Sequence, residues 1–230
     1  MTLYETIFKR RSVRSYSMQS LNESTLTGLR EFLDGAKSMD GQNARFEIVS
    51  GDKVKNDTAP HYILAYCDKS DSTYANVGFL LENADLYLQS KGLGSLWLGM
   101  AKPSEQDGDF CIMMAFGKTD VPMRKDAGDF KRLPLGDISD TDNAVAQAAR
   151  LAPSAMNSQP WKLCFSEGKV TVRYHGRGVS QFMLKPRLSK IDLGIITRHV
   201  ETALQSEDKT VLSVKPITAE KDFAVELCYQ

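Results

Sequence analysis

The chain has 230 residues, 42% hydrophobic and 25% charged, which supports one large packed domain or two small ones and argues against disorder. Lys plus Arg and Asp plus Glu each total 29, so the net charge is zero and there is no overall basic bias of the kind that nucleic-acid binding selects. No apolar run approaches the roughly 18–20 residues of a membrane span, and Leu3-Tyr4-Glu5-Thr6-Ile7-Phe8-Lys9-Arg10 lacks the apolar stretch of a signal peptide.

A short helical start leads into Lys9-Arg10-Arg11-Ser12-Val13-Arg14, four cations in six positions. Like charges this close repel unless an anion sits among them, and guanidinium forks suit phosphate oxygens. Taken alone, the run reads by default as a solvated basic turn. Residues 21–36 read as a helix with Leu26, Leu29, Leu33 and Ala36 on one side. Strands are expected at Phe46-Glu47-Ile48-Val49 and Tyr62-Ile63-Leu64-Ala65-Tyr66, a helix over about 74–91, and a strand over 110–116.

The charged stretch 118–132 is the expected join between halves, and it carries Arg124-Lys125 and Lys131-Arg132. A second helix is expected from the N-cap region Ser139-Asp140-Thr141-Asp142 to Leu151, then strands at Lys162-Leu163-Cys164-Phe165 and 170–174. A helix over about 191–206 and a closing strand over 223–229 follow. The cysteines Cys67, Cys111, Cys164 and Cys228 are widely spaced, with no CxxC, so they read as buried free thiols in a reducing compartment rather than metal ligands.

Between two of these elements lies the most specific segment, Ala152-Pro153-Ser154-Ala155-Met156-Asn157-Ser158-Gln159-Pro160-Trp161. Pro153 ends the helix before it, and Pro160 forces Gln159 to be extended. The polar side chains between suit hydrogen bonding to a flat, polar-edged ring, and equally suit a Ser/Asn-rich turn.

An internal echo connects the halves. Ser38 and Ser154 lie 116 positions apart, as do Ala36 and Ala152, Ser50 and Ser166, Lys53 and Lys169, Val54 and Val170, Gly78 and Gly194, and Leu88-Gln89-Ser90 and Leu204-Gln205-Ser206. Matches clustered at one offset suggest a duplication. The expected organisation is therefore a first half, residues 1–132, and a second, 133–230, sharing one core. The first-half loop, Lys37-Ser38-Met39-Asp40-Gly41-Gln42-Asn43-Ala44-Arg45, keeps Ser38 but has neither proline and no Trp.

Together, RRSVR, APSAMNSQPW, Gly92-Leu93-Gly94-Ser95-Leu96-Trp97-Leu98-Gly99 and Lys131-Arg132-Leu133-Pro134-Leu135 resemble the nitroreductase family, in its fused tandem branch. The resemblance implies an α+β fold with central, mainly antiparallel sheets flanked by helices. It also implies an intramolecular pseudo-dimer with one FMN per chain, working as a monomer. The implied activity is an NAD(P)H oxidoreductase that reduces nitroaromatics, quinones or another small conjugated acceptor by ping-pong hydride transfer.

By motif, Arg10, Arg11, Ser12, Lys131 and Arg132 hold the phosphate and ribityl chain, and Arg14 stands beside the pyrimidine. Pro153, Ser154, Ala155 and Asn157 line the ring, with Gln159 a weaker candidate, and the Leu98-Gly99 backbone lies near the hydride-accepting nitrogen. No protein acid or base, no metal, no nucleic acid and no membrane is implied, and a cytoplasmic location is expected. Segments 181–189 and 104–109 are expected to shape acceptor choice. The competing reading is a regulatory relative, with or without flavin, that kept the fold and lost turnover. A Rossmann reading of GLGSLWLG fails on its spacing, which is not GxGxxG.

Overall fold

The structure, a computed structural model, describes residues 1–55, 58–105, 108–176, 186–219 and 222–230. Two antiparallel four-stranded sheets share one strand order. The first holds β1 (Arg45–Ser50), β2 (His61–Tyr66), β3 (Gly94–Leu98) and β4 (Phe110–Gly117), in the order β1-β2-β4-β3. The second holds β5 (Trp161–Ser166), β6 (Lys169–Tyr174), β7 (Val211–Ala219) and β8 (Asp222–Tyr229), in the order β5-β6-β8-β7. Helices α1 (Leu3–Ile7), α2 (Glu23–Asp34), α3 (Asp71–Ser90), α4 (Leu135–Ile138), α5 (Ala144–Ala149) and α6 (Pro186–Ser206) complete the α+β architecture. No helix among the described residues is long and apolar enough to cross a membrane.

Local sequence sets the helix ends. Asn22 Oδ1 accepts from Thr25 N at 2.9 Å, and Asn143 Oδ1 accepts from Ala146 N at 2.8 Å, each satisfying a donor that the first turn leaves open. Ser70 and Thr73 form a reciprocal capping box at the start of α3. Pro186 opens α6, where its missing N–H is no loss.

The central layer is the helix pair. Helix α3 rests on β2, β3 and β4, α6 rests on β6, β7 and β8, and the two helices pack on each other. The order of layers is sheet, helix, helix, sheet, so both helices are buried on nearly every side. They approach at Gly78 and Gly194. A methyl group at Gly78 would overlap the Ile191 carbonyl, and one at Gly194 would overlap the Ala75 carbonyl.

Many of the echoed positions are structurally equivalent. Ser50 and Ser166 end β1 and β5, and Ser90 and Ser206 end α3 and α6. Lys53 and Val54 do not correspond to Lys169 and Val170. The former sit in a 3-10 turn and the residue after it, the latter in β6, because the first half carries a longer β1–β2 connection.

Other boundaries also differ. Ser139 is extended, bridging to Leu163, and the helix starts only after Asn143. Helix α6 begins five residues before the expected 191. Strand β7 was not anticipated; Pro216 lies within it, which an edge strand tolerates because the missing N–H costs no ladder bond. Cys67 and Cys111 are buried free thiols, but Cys164 and Cys228 are only half-buried.

Candidate functional site

After α1 the chain runs extended along the edge of β3, where Ser12 bridges to Ser95 and Val13 N donates to Ser95 O at 2.9 Å. Gly94 allows this approach, since a Cβ there would press into Val13 and Thr119. Alternation along the extended run buries Val13 and turns Ser12 and Arg14 toward a cavity of about 360 Å³.

Leu96, Trp97, Gly99, Met100 and Ile112 form the rest of the first-half wall. The opposite wall is Pro153, Ser154, Ala155 and Met156 with one face of α6, Leu188, Ile191, Asp192 and Ile195, spaced as a single helical stripe. Arg187 staples the two sides together, donating to Gly99 O at 2.9 Å and Cys111 O at 2.8 Å.

The loop 153–160 is tightly specified. Met156, Asn157 and Gln159 all adopt left-handed backbone, at φ 53°, 55° and 49°. Gln159 is thus not extended, as its place before Pro160 leads one to expect; its hydrogen bonds to Leu133 and Ser154 override that preference. Non-glycine residues pay roughly 1–3 kcal/mol for such conformations, so the surroundings must hold them. Ala155 N donates to both oxygens of Asp192, at 3.0 and 3.2 Å. Asn157 accepts from Arg132 Nη1 at 2.7 Å and donates to Lys131 O at 2.9 Å. Gln159 accepts from Leu133 N at 2.9 Å, and its own N–H donates to Ser154 Oγ at 2.9 Å.

The expected site residues therefore separate by position. Ser12, Arg14, Gly99, Pro153, Ser154 and Ala155 line the cavity. Leu98 packs with the outer cluster on the far face of the first sheet. Arg132, Asn157 and Gln159 form the scaffold behind the loop, and the Lys131 side chain is exposed while its carbonyl joins that scaffold. Of the segments expected over the cavity, residues 181–185 and 106–107 lie outside the described residues, while Leu188 does reach the wall.

Arg10 is placed differently from expectation. Its side chain is buried, with Nε and Nη2 both 2.8 Å from Asp85 Oδ2 and Glu82 3.7 Å away. Burial opposes its charge, but Asp85 and then Glu82 outweigh that and raise its pKa. Gln89 ties the pieces together, accepting from Arg11 N at 2.8 Å and donating to Asp85 and Ser95 at 2.9 Å each.

Glu82 is pushed well above the usual carboxylate range by burial and then by Asp85, and burial holds His199 down to about 3. Glu82 Oε1 and His199 Nε2 lie 2.9 Å apart, and His199 Nδ1 faces the Ala148 carbonyl at 3.4 Å, so burial works against charge on both members of the pair. Trp97 Nε1 donates to the other Glu82 oxygen at 3.2 Å.

Around Arg10 stand more cations than carboxylates offset. Arg124 donates to the Arg10 carbonyl and stacks on Phe130. Its pKa is pushed down to about 10 by burial and then by Arg10 and Arg11. Arg132 is pushed down to about 9 by burial, Arg10 and Arg124, and its Nε is buried without a partner. Mutual repulsion of this kind marks a place with room for an anion.

The sequence profile of a family described as "Putative TM nitroreductase" matches residues 2–204. The chain belongs to this nitroreductase family. A "putative nitroreductase" structure from Thermotoga maritima shares its fold over 99% of this chain and 94% of that one, at 21% identity and a TM-score of 0.71. A nitroreductase family protein from Clostridium difficile aligns over 60% of this chain and 96% of its own, at 18% identity and a TM-score of 0.49. A "putative nitroreductase" from Desulfovibrio desulfuricans, described as a complex with FMN, aligns over 60% of this chain and 94% of its own, at 20% identity and a TM-score of 0.46. No curated protein matches the chain.

Asp192 and Arg124 are among the members of the site not assigned to it from sequence. Asp192 had an available signal, since it stands 116 positions after Asn76 and two before Gly194. Arg124 had none beyond its charge, because its partners are remote in sequence.

Proposed function

We propose that this nitroreductase is an FMN-dependent NAD(P)H oxidoreductase acting on nitroaromatics, quinones or a similar small conjugated acceptor. The observation that carries the reading is the cavity between the two halves, where apolar walls meet Ser12, Arg14 and Ser154, together with the crowded Arg124 and Arg132, which bond the Arg10 carbonyl and Asn157 of the segments leading into those walls. That combination suits a flat ring system with polar edges and an anionic tail. Bound FMN would supply the chemistry, accepting hydride from NAD(P)H and passing it to an acceptor in the same place. Of the residues lining the cavity, Arg14 would stand by the pyrimidine edge, where a cation favours reduced flavin, and Pro153, Ser154 and Ala155 would line the ring. Ser12, Arg11, Arg124 and Arg132 would hold the phosphate and ribityl chain, with Arg10 adding charge from behind and the Lys131 carbonyl positioning Asn157. The Gly99 carbonyl, fixed by Arg187, would stand at the edge of the ring, while the Leu98 side chain turns to the far face of the sheet.

The purified protein should be yellow, and anaerobic NADH or NADPH should bleach its visible band. A colourless protein that binds no added FMN would overturn the reading. Arg132→Ala should weaken FMN binding by roughly 1.5–3 kcal/mol, as expected for a lost charge-assisted hydrogen bond. Affinity within twofold of wild type would place the phosphate elsewhere.

We further propose that residues 1–132 and 133–230 are duplicated halves building one site within a monomer. The counterpart of the cavity would lie between the loop 37–45 and β7, and there Met39 is buried and Asp40 N donates to Val214 O at 2.8 Å. That contact brings the loop against β7 where a second ring would have to sit. Flavin released by denaturation should therefore amount to at most one per chain, and light scattering should give the mass of one chain.

A further inference from the structure

Asp192 is a charged-residue type in an uncharged setting, and it has an internal control. It lies on the α6 stripe that lines the cavity and is 2% exposed. The Ala155 N–H is the one protein donor that reaches it among the described residues. No ion pair links it to Arg14, the cation of the same cavity, and the walls facing it from β3, β4 and the loop 153–156 carry no titratable side chain. On its own helix Arg187 is turned to the Gly99 and Cys111 carbonyls, and Lys190 pairs with Asp71.

In the other half, Asn76 occupies the equivalent place on α3 and accepts from Met39 N at 2.9 Å, as Asp192 accepts from Ala155 N. A neutral amide therefore suffices to tether the loop. What a carboxyl adds is a proton that can be held or lost.

We infer that Asp192 is a ligand-positioning residue that holds its proton and donates the carboxyl O–H to an acceptor atom, a carbonyl oxygen or ring nitrogen, of the planar group bound in the cavity. Burial without a cation favours the neutral form, raising the pKa to about 8, while the Ala155 hydrogen bond works the other way. The sign follows. Below that point the donor is present. Above it the group becomes a buried carboxylate that repels the electron-rich edge it had bonded.

This inference rests on the flavin reading of the same cavity, and its test separates the two. FMN affinity is measured by fluorescence titration at pH 7 and pH 9 for wild type and Asp192→Asn. The wild-type affinity should fall up to roughly tenfold more than that of Asp192→Asn, because the neutral fraction changes by about that factor across this window. Comparison with the variant cancels any titration of FMN itself, and Asn76 shows that the amide keeps the loop tether. Parallel pH dependence in the two proteins overturns the role of Asp192 and leaves the flavin reading standing. Failure of wild type to bind FMN at either pH removes both.

Discussion

Arg10→Ala should lower the unfolding free energy by about 3–5 kcal/mol, measured by urea denaturation of flavin-free protein. The motif around Arg10 suggests a phosphate ligand, for which truncation would cost FMN affinity and little else. The geometry changes that expectation, because Arg10 is 2% exposed and both its Nε and Nη2 meet Asp85. Its removal leaves the buried Asp85 carboxylate with neutral donors from Gln89 and Ser95 but no cation. Glu82, whose pKa burial already raises, would lose a cation that draws it down and would rise further. Two comparisons sharpen the result. Arg10→Lys retains the charge but not the planar fork, so it should recover part of the loss. Arg11→Ala, whose guanidinium donates to the exposed Pro122 carbonyl, should move stability by less than about 1 kcal/mol. A change for Arg10→Ala as small as that for Arg11→Ala would show that the ion pair contributes no net stability.

The same residue shows what could and could not be read from sequence. Local signals were legible in part: the prolines and polar run marked out the loop 153–160, and alternating helices and strands marked the fold class, but the left-handed backbone of Met156, Asn157 and Gln159 was not legible. The echo identified Gly78 and Gly194, whose shared offset reflects a real equivalence between α3 and α6. Partners in space were not legible. Nothing near Arg10 in sequence indicates that Asp85, 75 positions later, lies against it, or that Arg124 approaches from 114 positions away. Asn157 and Gln159 carry ring-binding side chains by composition, yet they are spent on Arg132, Lys131 and Leu133, which fix the loop's unusual backbone. The long-range contacts decide which polar groups remain for a ligand.

That dependence is greatest where the two helices touch, and Gly194→Ala should expose it. In an open helix interior, glycine to alanine stabilises by roughly 0.5–1 kcal/mol, because alanine loses less backbone entropy on folding. At Gly194 the added methyl meets the Ala75 carbonyl and the Phe79 N–H, both fixed within α3, so no side chain can rotate away. Overpacking of that kind costs typically 1–3 kcal/mol and more when backbone must move; a net loss of about 3 kcal/mol is expected by thermal or urea unfolding. Gly28→Ala is the control, since a methyl there meets only Tyr87 Oη at 3.5 Å, an ordinary contact, and it should be neutral or slightly stabilising. The consequence for the site follows from the layer order. Helix α6 carries Leu188, Ile191, Asp192 and Ile195 into the cavity wall, while α3 supports β3 and the first-half wall opposite. Forcing the helices apart at Gly194 moves those walls relative to one another, so FMN affinity should fall in the folded variant as well. If Gly194→Ala were as stable as Gly28→Ala, the close crossing would not be the contact that sets the spacing of the two halves.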